Sequence, residues 1–551
     1  MKKLSKNGIY AVLIVILTFL IVIPIITVLI EAVVVDDRLN FANAVHTICQ
    51  KENLNTIINS LLLGILVVIT STVIATPLAF ILVRTKYAEK KWLDIVLMIP
   101  FMTPPYISSM GWILFMQKRG LFQQLFPQTG ALSEQFFSLT GLTLVMSLHV
   151  FPFMTTMLKN ALLNLNSNLE ESAAICGGSA WYRLRKITLP LLTGNYAIAM
   201  MLVMVKTLSE YGTPATLGKR IGFYVFTTDI HRYATTAPVD FGKASSLSGV
   251  LVCVCMFMWM MQAYITNKHS YQLVNGKGSK CIKSSKRKTI NVLSGIYIAI
   301  VILLAIGIPY FSIIVSSLIK LRGYGMAAGN YTLSHYGDIF LQGSKGMRAI
   351  ATSVGLATLS ATIASALGTL SVVSIQKTKK VKKLIEWEGL LPEMIPNIVL
   401  VIGLMLFWNK IYKVISLYNT IWFMVLVYVV MFLPYSIQYV SSAIMQLGGN
   451  LQSAGAICGG TKWYVFWKIT FPLIFKGIIT GWMMIFIISF RELVASSLIA
   501  PPNTLTVSTF IVRECEQGSV SVGMAMAVIC VLLTTTALIL LNQFVEKPKR
   551  G

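Results

Sequence analysis

The chain has 551 residues, 56% hydrophobic and only 12% charged, with a mean hydropathy of +0.73. Soluble chains carry about 25% charged residues, so an ordinary soluble enzyme, a disordered protein and a disulfide scaffold are excluded. The net charge of +26 sits in short loops between apolar runs, the pattern of membrane loops and not of a nucleic-acid surface; the eight scattered cysteines form no CxxC pair and indicate neither zinc nor redox chemistry.

A bilayer-crossing helix needs about 20 apolar residues. About twelve segments qualify: roughly 9–34, 57–83, 92–116, 139–160, 189–209 and 243–266, then roughly 290–318, 349–375, 385–409, 418–445, 473–490 and 522–545. The first run is too long for a signal peptide and no A-x-A-like site follows it, so it reads as a retained span. Lys2, Lys3 and Lys6 precede it, and Arg84, Lys86, Lys90 and Lys91 follow span two. Lys268, Lys277, Lys280, Lys283, Lys286, Arg287 and Lys288 lie between spans six and seven, Lys377, Lys379, Lys380, Lys382 and Lys383 follow span eight, and Lys547, Lys549 and Arg550 come last. All fall on one side if both termini are cytoplasmic. Asp36, Asp37, Glu134, Asp229, Asp240, Asp338, Glu514 and Glu516 then fall on the other.

The chain repeats itself at about half its length. Residues 174–191 read AICGGSAWYRLRKITLPL and residues 456–473 read AICGGTKWYVFWKITFPL, with 12 of 18 positions identical at an offset of 282. Pro152 and Pro434, and Glu210 and Glu492, keep that offset, while Pro100, Met102 and Pro104 match Pro392, Met394 and Pro396 at an offset of 292. Gly8-Ile9-Tyr10 is echoed by Gly295-Ile296-Tyr297. Each half holds about six spans, an even number, so both have one orientation and the pseudo-symmetry axis runs along the membrane normal. The basic, Gly- and Ser-containing stretch 267–289 reads as the linker between them.

The repeated segment falls in the cytoplasmic loop between the fourth and fifth span of each half. Ser172, Ala173 and Ala174 allow close approach to another surface, Gly177 and Gly178 suit a helix end, and Trp181 and Tyr182 offer contact area. Pro190 opens the next span, where its missing N–H costs nothing. Trp181, Tyr182, Trp463 and Tyr464 suit either a protein interface or the membrane boundary.

These residues resemble a known family. Glu171, Ala173, Gly177, Ile187, Leu189 and Pro190 fit the EAA-x3-G-x9-I-x-LP signature of permease subunits of bacterial binding-protein-dependent ABC importers, with Ser172 in place of the first Ala. The second copy keeps Gly459, Gly460, Ile469 and Pro472, with Ser453 at the Glu position and Phe471 at the Leu position. The resemblance implies an all-α integral membrane protein of about 12 transmembrane helices in two homologous six-helix MetI-like halves. The expected division is an N-terminal span and external loop (1–54), a first MetI-like unit (55–266), a linker with span seven and an external loop (267–345), and a second MetI-like unit (346–545). The fused layout, with LSEYGTPATLG at 208–218 and FRELVASSLIAPP at 490–502, looks like the ferric-iron type, whose relatives carry 2-aminoethylphosphonate, thiamine or polyamines.

The resemblance further implies that each loop docks on one of two copies of a separate ABC ATPase, and that an extracytoplasmic substrate-binding protein delivers the cargo. The remaining expected surroundings are membrane lipid, with no nucleic acid, in the bacterial plasma (inner) membrane. The residues agree on one independent point: no G-x-x-x-x-G-K-[ST] phosphate loop is present, so this chain is expected to hold no cofactor and to leave ATP to its partner. No catalytic or metal-ligating set is singled out.

Candidate pathway residues are Glu210 and Glu492, a carboxylate pair suited to a cation, and Pro104 and Pro396, which break span three and its repeat. The alternatives for the acids are a water-interface position or local pairing, Glu492 with Arg491. Lys206 is expected to snorkel, and His149 to bond a neighbouring helix. Two other classes compete. A gradient-driven secondary transporter predicts mid-span acids, which are nearly absent from the assigned spans, and lacks a need for docking loops. A membrane enzyme needs a cluster of acids, His or Lys near one interface.

Overall fold

A backbone in hydrocarbon must satisfy its own N–H and C=O groups, and the apolar runs accordingly fold as helices. The computed structural model describes residues 4–35, 38–165, 167–268, 288–374, 379–447 and 450–546. Most of the expected linker 267–289 lies outside the described residues, as do Lys2, Lys3, Asp36, Asp37, Lys377, Lys547, Lys549 and Arg550. Among the described residues, 10 helices are long and apolar enough to cross a membrane, and up to 12 if each of two bent pairs is one span. The expected all-α membrane class is borne out; the strand content described is a two-residue ladder, Val34–Val35 with Arg38–Leu39.

Prolines explain the irregularities. Spans three and nine are the bent pairs: Trp92–Met102 with Pro105–Leu125 at 87°, and Lys383–Met394 with Asn397–Lys410 at 111°. Thr103 precedes Pro104 and is extended (φ −73°, ψ 136°), because a residue before proline is disfavoured in helical conformation. After the break, Pro105–Met116 buries ten residues, from Tyr106 to Met116, and Asn397–Lys410 is buried from Ile398 to Met405. Pro77, Pro152 and Pro434 sit inside continuous helices, whereas four other prolines follow a π turn. Thr18–Val22, Leu184–Thr188, Leu303–Gly307 and Phe466–Thr470 each end two residues before Pro24, Pro190, Pro309 or Pro472. Proline cannot donate to the carbonyl four residues back, and the preceding turn widens to i→i+5 bonding instead.

The chain divides into two packing units. The N-half unit comprises Cys49–Asp229 and Cys253–Tyr331. In it Lys51–Arg84 packs along Leu139–Leu163, and both meet Leu189–Ser209, around Leu63, Val67, Leu78, Val145, Phe151 and Met154. Span seven, from the other sequence half, completes this core. Tyr297 donates to the Ile74 carbonyl at 3.0 Å, the Thr103 and Tyr310 hydroxyls lie 2.7 Å apart, and a Cβ on Gly111 would sit 2.7 Å from the Pro309 carbonyl oxygen.

The C-half unit comprises Met1–Ile48, Ile230–Val252 and Thr332–Gly551. Lys345–Ser374, Ile421–Leu447 and Phe471–Phe490 pack together, and span one of the first sequence half completes them. A Cβ on Gly403 would lie 2.6 Å from the Pro24 carbonyl oxygen. Phe19 meets Phe407 and Trp408 edge-on at 5.1 and 5.7 Å, and Lys410 pairs with Glu31. The same proline–glycine approach thus closes both units, with small residues letting helices come close.

Candidate functional site

The two repeated loops fold alike. In the first, the helix Ser167–Ile175 ends where Gly177 takes φ +82°. The Gly177 N–H donates to the Ala174 carbonyl at 3.1 Å and the Gly178 N–H to the Ala173 carbonyl at 2.8 Å, a Schellman closure. In the second, Asn450–Ile457 ends at Gly459 with φ +81°, with Gly459 bonded to Ala456 at 3.2 Å and Gly460 to Gly455 at 3.0 Å. Ser179 and Thr461 then cap the next turn, accepting from Tyr182 N and Tyr464 N, each at 3.2 Å. A π turn and Pro190 or Pro472 lead into the following span.

This geometry places apolar side chains in the open. Ile175, Trp181 and Tyr182 are 87, 69 and 54% exposed, and Ile457, Trp463 and Tyr464 are 85, 72 and 56% exposed. Glu171 is exposed, Ala173, Gly178, Ile187, Gly460 and Ile469 are half-buried beneath, and Pro190 and Pro472 are exposed. A repeated apolar face on short loops has the make-up of an interface core.

The acid that ties the first loop down is Glu170, not the motif's Glu171. Its carboxylate accepts from Arg84, at the end of span two, and from the Thr188 hydroxyl. Its counterpart at offset 282 is Gln452, which donates to Thr470 at 3.3 Å. The family motif marks Glu171 and not Glu170; the signal the sequence carries for this pair is that Glu170 and Thr188 share one offset with Gln452 and Thr470.

The acids at the far ends of spans five and eleven turn back on their own chain. Glu210 lies one residue past Ser209 and accepts from Thr213 N at 3.1 Å on both oxygens. Glu492 lies two residues past Phe490 and accepts from Val494 N and Ala495 N at 2.9 Å and from Ser496 N at 3.3 Å. Burial pushes the Glu492 carboxyl up to about 7 against these N–H groups, which pull it down, and pushes Glu210 in the same direction. The turn after Glu210 packs on the helix that Pro104 opens. A Cβ on Gly212 would come 2.9 Å from Tyr106 N, and Thr216 donates to Ser109 at 2.8 Å. The helix Val494–Ile499 likewise packs on Asn397–Lys410, which follows Pro396. Each unit therefore brings its candidate glutamate and its proline break together.

Lys206 is exposed, and His149 stacks on Phe101 at 5.9 Å. A further acid lies within a span: Glu388, 4% exposed, accepts from Thr18 at 2.9 Å inside the π turn of span one. Glu388 falls within the assigned span 385–409 and is an exception to the expectation of spans nearly free of acids.

Among the described residues, two broken spans and two capped loops, one of each per unit, mark a polytopic membrane protein built from two like units. A family model described as binding-protein-dependent transport system inner membrane component matches residues 77–269 and 362–551, more than half of the chain, and the chain belongs to that family. It is the permease subunit of a binding-protein-dependent ABC importer, with two fused units as the repeat implied.

The chain is 22% identical over 95% of its length to the ferric transport system permease protein FbpB of Actinobacillus pleuropneumoniae, covering 75% of that protein. It is 22% identical over 89% of its length to the Fe(3+)-transport system permease protein FbpB 2 of Haemophilus influenzae, covering 90% of it. A putative 2-aminoethylphosphonate transport system permease protein, PhnV of Salmonella typhi, is 20% identical over 46% of this chain and 95% of its own length.

Proposed function

We propose that this permease moves ferric iron inward, driven by two copies of a separate ATPase that dock on the loops around Glu171–Pro190 and Ser453–Pro472. In this reading an extracytoplasmic binding protein delivers the cargo to the opposite face. The observation that carries the mechanism is the paired loop: the same Schellman closure, the same cap and the same exposed Ile-Trp-Tyr face occur in both units. The ferric assignment draws on similarity that runs through both units, over 95 and 89% of the chain, to permeases named for ferric iron.

The orientation has both termini cytoplasmic. Arg84, at the head of the basic loop after span two, touches Glu170 in the repeated loop, so these two loops share one membrane face, the face that positive charge marks as cytoplasmic. Glu210 and Glu492, with Pro104 and Pro396, are proposed to shape the external part of the pathway, the carboxylates by bracing the turns that lie against the broken spans.

The test is ATPase activity of the chain with its candidate ATPase in lipid nanodiscs, with binding protein loaded with ferric iron or with 2-aminoethylphosphonate. Stimulation by the iron-loaded protein supports both mechanism and cargo. Stimulation only by the other keeps the mechanism and refutes the cargo. Failure of any ATPase to associate refutes both.

A further inference from the structure

Three elements of the N-half unit converge on one carboxylate. Arg84 is the last residue of the helix Lys51–Arg84, Glu170 lies in the first turn of the loop helix, and Thr188 closes the π turn that starts span five. Arg84 Nη2 donates to Glu170 Oε1 and lies 3.5 Å from the Thr188 hydroxyl, which donates to the same carboxylate oxygen. Arg84 also lies over the Phe80 ring at 5.2 Å. The pair is largely shielded, with side chains 27 and 19% exposed, and Thr188 is 1% exposed. Both charges sit where helix dipoles favour them, the cation at a C-terminus and the anion at an N-terminus.

The other unit replaces charge by amide. Gln452 meets Thr470 in a neutral bond of 3.3 Å. At the offset of 292 that aligns Pro100 with Pro392, the counterpart of Arg84 is Gln376, which lies outside the described residues. Span eleven instead opens with an aromatic run. Trp463, Phe466, Trp467, Phe471 and Phe475 follow one another with ring centroids 4.9–6.4 Å apart; the first copy has Trp181, Leu184, Arg185, Leu189 and Thr193 there. Charge-assisted hydrogen bonds are roughly twice as strong as neutral ones, so the two loops are held to their spans with different stiffness.

We propose that Arg84, Glu170 and Thr188 form a charged clamp that makes the first docking loop the stiff link between ATPase movement and span two, while the second loop, held by Gln452 and Thr470, is the compliant one. Arg84 and Glu170 are positioning residues in this role: neither belongs to the exposed Ile175-Trp181-Tyr182 face, and they act by fixing that face relative to the span. The inference rests on the docking reading above.

The test compares Glu170→Gln, Gln452→Ala and the charge exchange Arg84→Glu with Glu170→Arg in sealed proteoliposomes carrying the ATPase. The readouts are ATPase co-purification, stimulation by binding protein loaded with ferric iron or with 2-aminoethylphosphonate, whichever stimulates the unmodified chain, and the amount of that same cargo moved into the lumen per ATP. Glu170→Gln is expected to keep the ATPase bound and to lower cargo per ATP at least five-fold. Gln452→Ala is expected to lower it less than two-fold, and the charge exchange to recover at least half of the loss. A merely structural role would lower yield and thermal midpoint without changing cargo per ATP in the protein that folds. Unchanged coupling in Glu170→Gln overturns the clamp, and equal losses in Glu170→Gln and Gln452→Ala overturn the asymmetry. If the unmodified chain binds no ATPase, the docking reading itself has failed.

Discussion

Substituting Gly177 isolates one physical quantity, the left-handed backbone that ends the first loop helix. Its φ is +82°, and a Cβ added there meets nothing within 4 Å. Any effect of Gly177→Ala is therefore backbone strain without steric clash. The left-handed conformation costs a residue bearing Cβ about 1–2 kcal/mol, a factor of roughly 5–30 in the closed-to-open ratio of the cap. The helix it closes has 9 residues, and isolated helices under about 12–15 residues are marginal, so the cap decides whether the face stays ordered. Asn tolerates this backbone region and Val does not, which predicts the order Gly, Asn, Ala, Val for falling ATPase stimulation, with Val losing roughly ten-fold or more. Gly459, at φ +81° and equally open, should show the same order.

Gly222 supplies the control, with φ +68° and nothing within 4 Å of its Cβ, outside both loops. The assay pairs ATPase stimulation with maleimide labelling of Cys176 and Cys458, free exposed thiols beside the two glycines. ATPase binding should protect them in the parent and progressively less along the series. The reasoning is refuted if Asn, Ala and Val behave alike at Gly177, or if Gly222→Val depresses stimulation as much as Gly177→Val.

Three further outcomes are expected. Gly111→Ala and Gly403→Ala push a methyl to within 2.7 and 2.6 Å of a proline carbonyl oxygen, and overpacking of this kind costs about 1–3 kcal/mol; each should lower the thermal midpoint in detergent, and an unchanged midpoint would contradict the described approach of span seven to span three or of span one to span nine. Glu492→Gln sets an amide donor among three backbone N–H groups, and the unsatisfied donor should cost about 1–3 kcal/mol, read as a lower midpoint that Glu492→Asp does not reproduce in full. Thr18→Val deprives Glu388 of its hydroxyl partner and should destabilise by about 1–3 kcal/mol, yet be nearly neutral beside Glu388→Met, since removing both partners leaves nothing unsatisfied; equal effects in both backgrounds would deny the pairing.

The candidate site was partly legible. Gly177 and Gly459 stand out because a helix end with positive φ selects glycine, a requirement met within a few residues. The breaks at Pro104 and Pro396 follow from the missing N–H and the restricted residue before proline. Glu170 was not legible as the tying acid. Glu170 and Glu171 are adjacent, and only the packing of three helix ends shows that one is gripped by Arg84 and Thr188 while the other is exposed. Glu210 and Glu492 read as possible pathway carboxylates, whereas their hydrogen bonds run to their own following turns.

What the sequence determined by itself is local: the apolar runs that become helices, the proline bends, the two capped loops and the duplication that relates them. Hydropathy, proline chemistry and glycine backbone freedom each act over one or two turns, so a linear reading captures them. What only the tertiary structure decided is partnership. Span one packs with the second half through Pro24 and Gly403, and span seven with the first through Pro309 and Gly111. Glu388 finds Thr18 across 370 positions of chain. Between helices already surrounded by lipid, hydrophobicity favours no particular neighbour, and close packing of small residues and single polar contacts makes the choice. Those terms depend on shape at one contact, which no periodicity in the sequence announces.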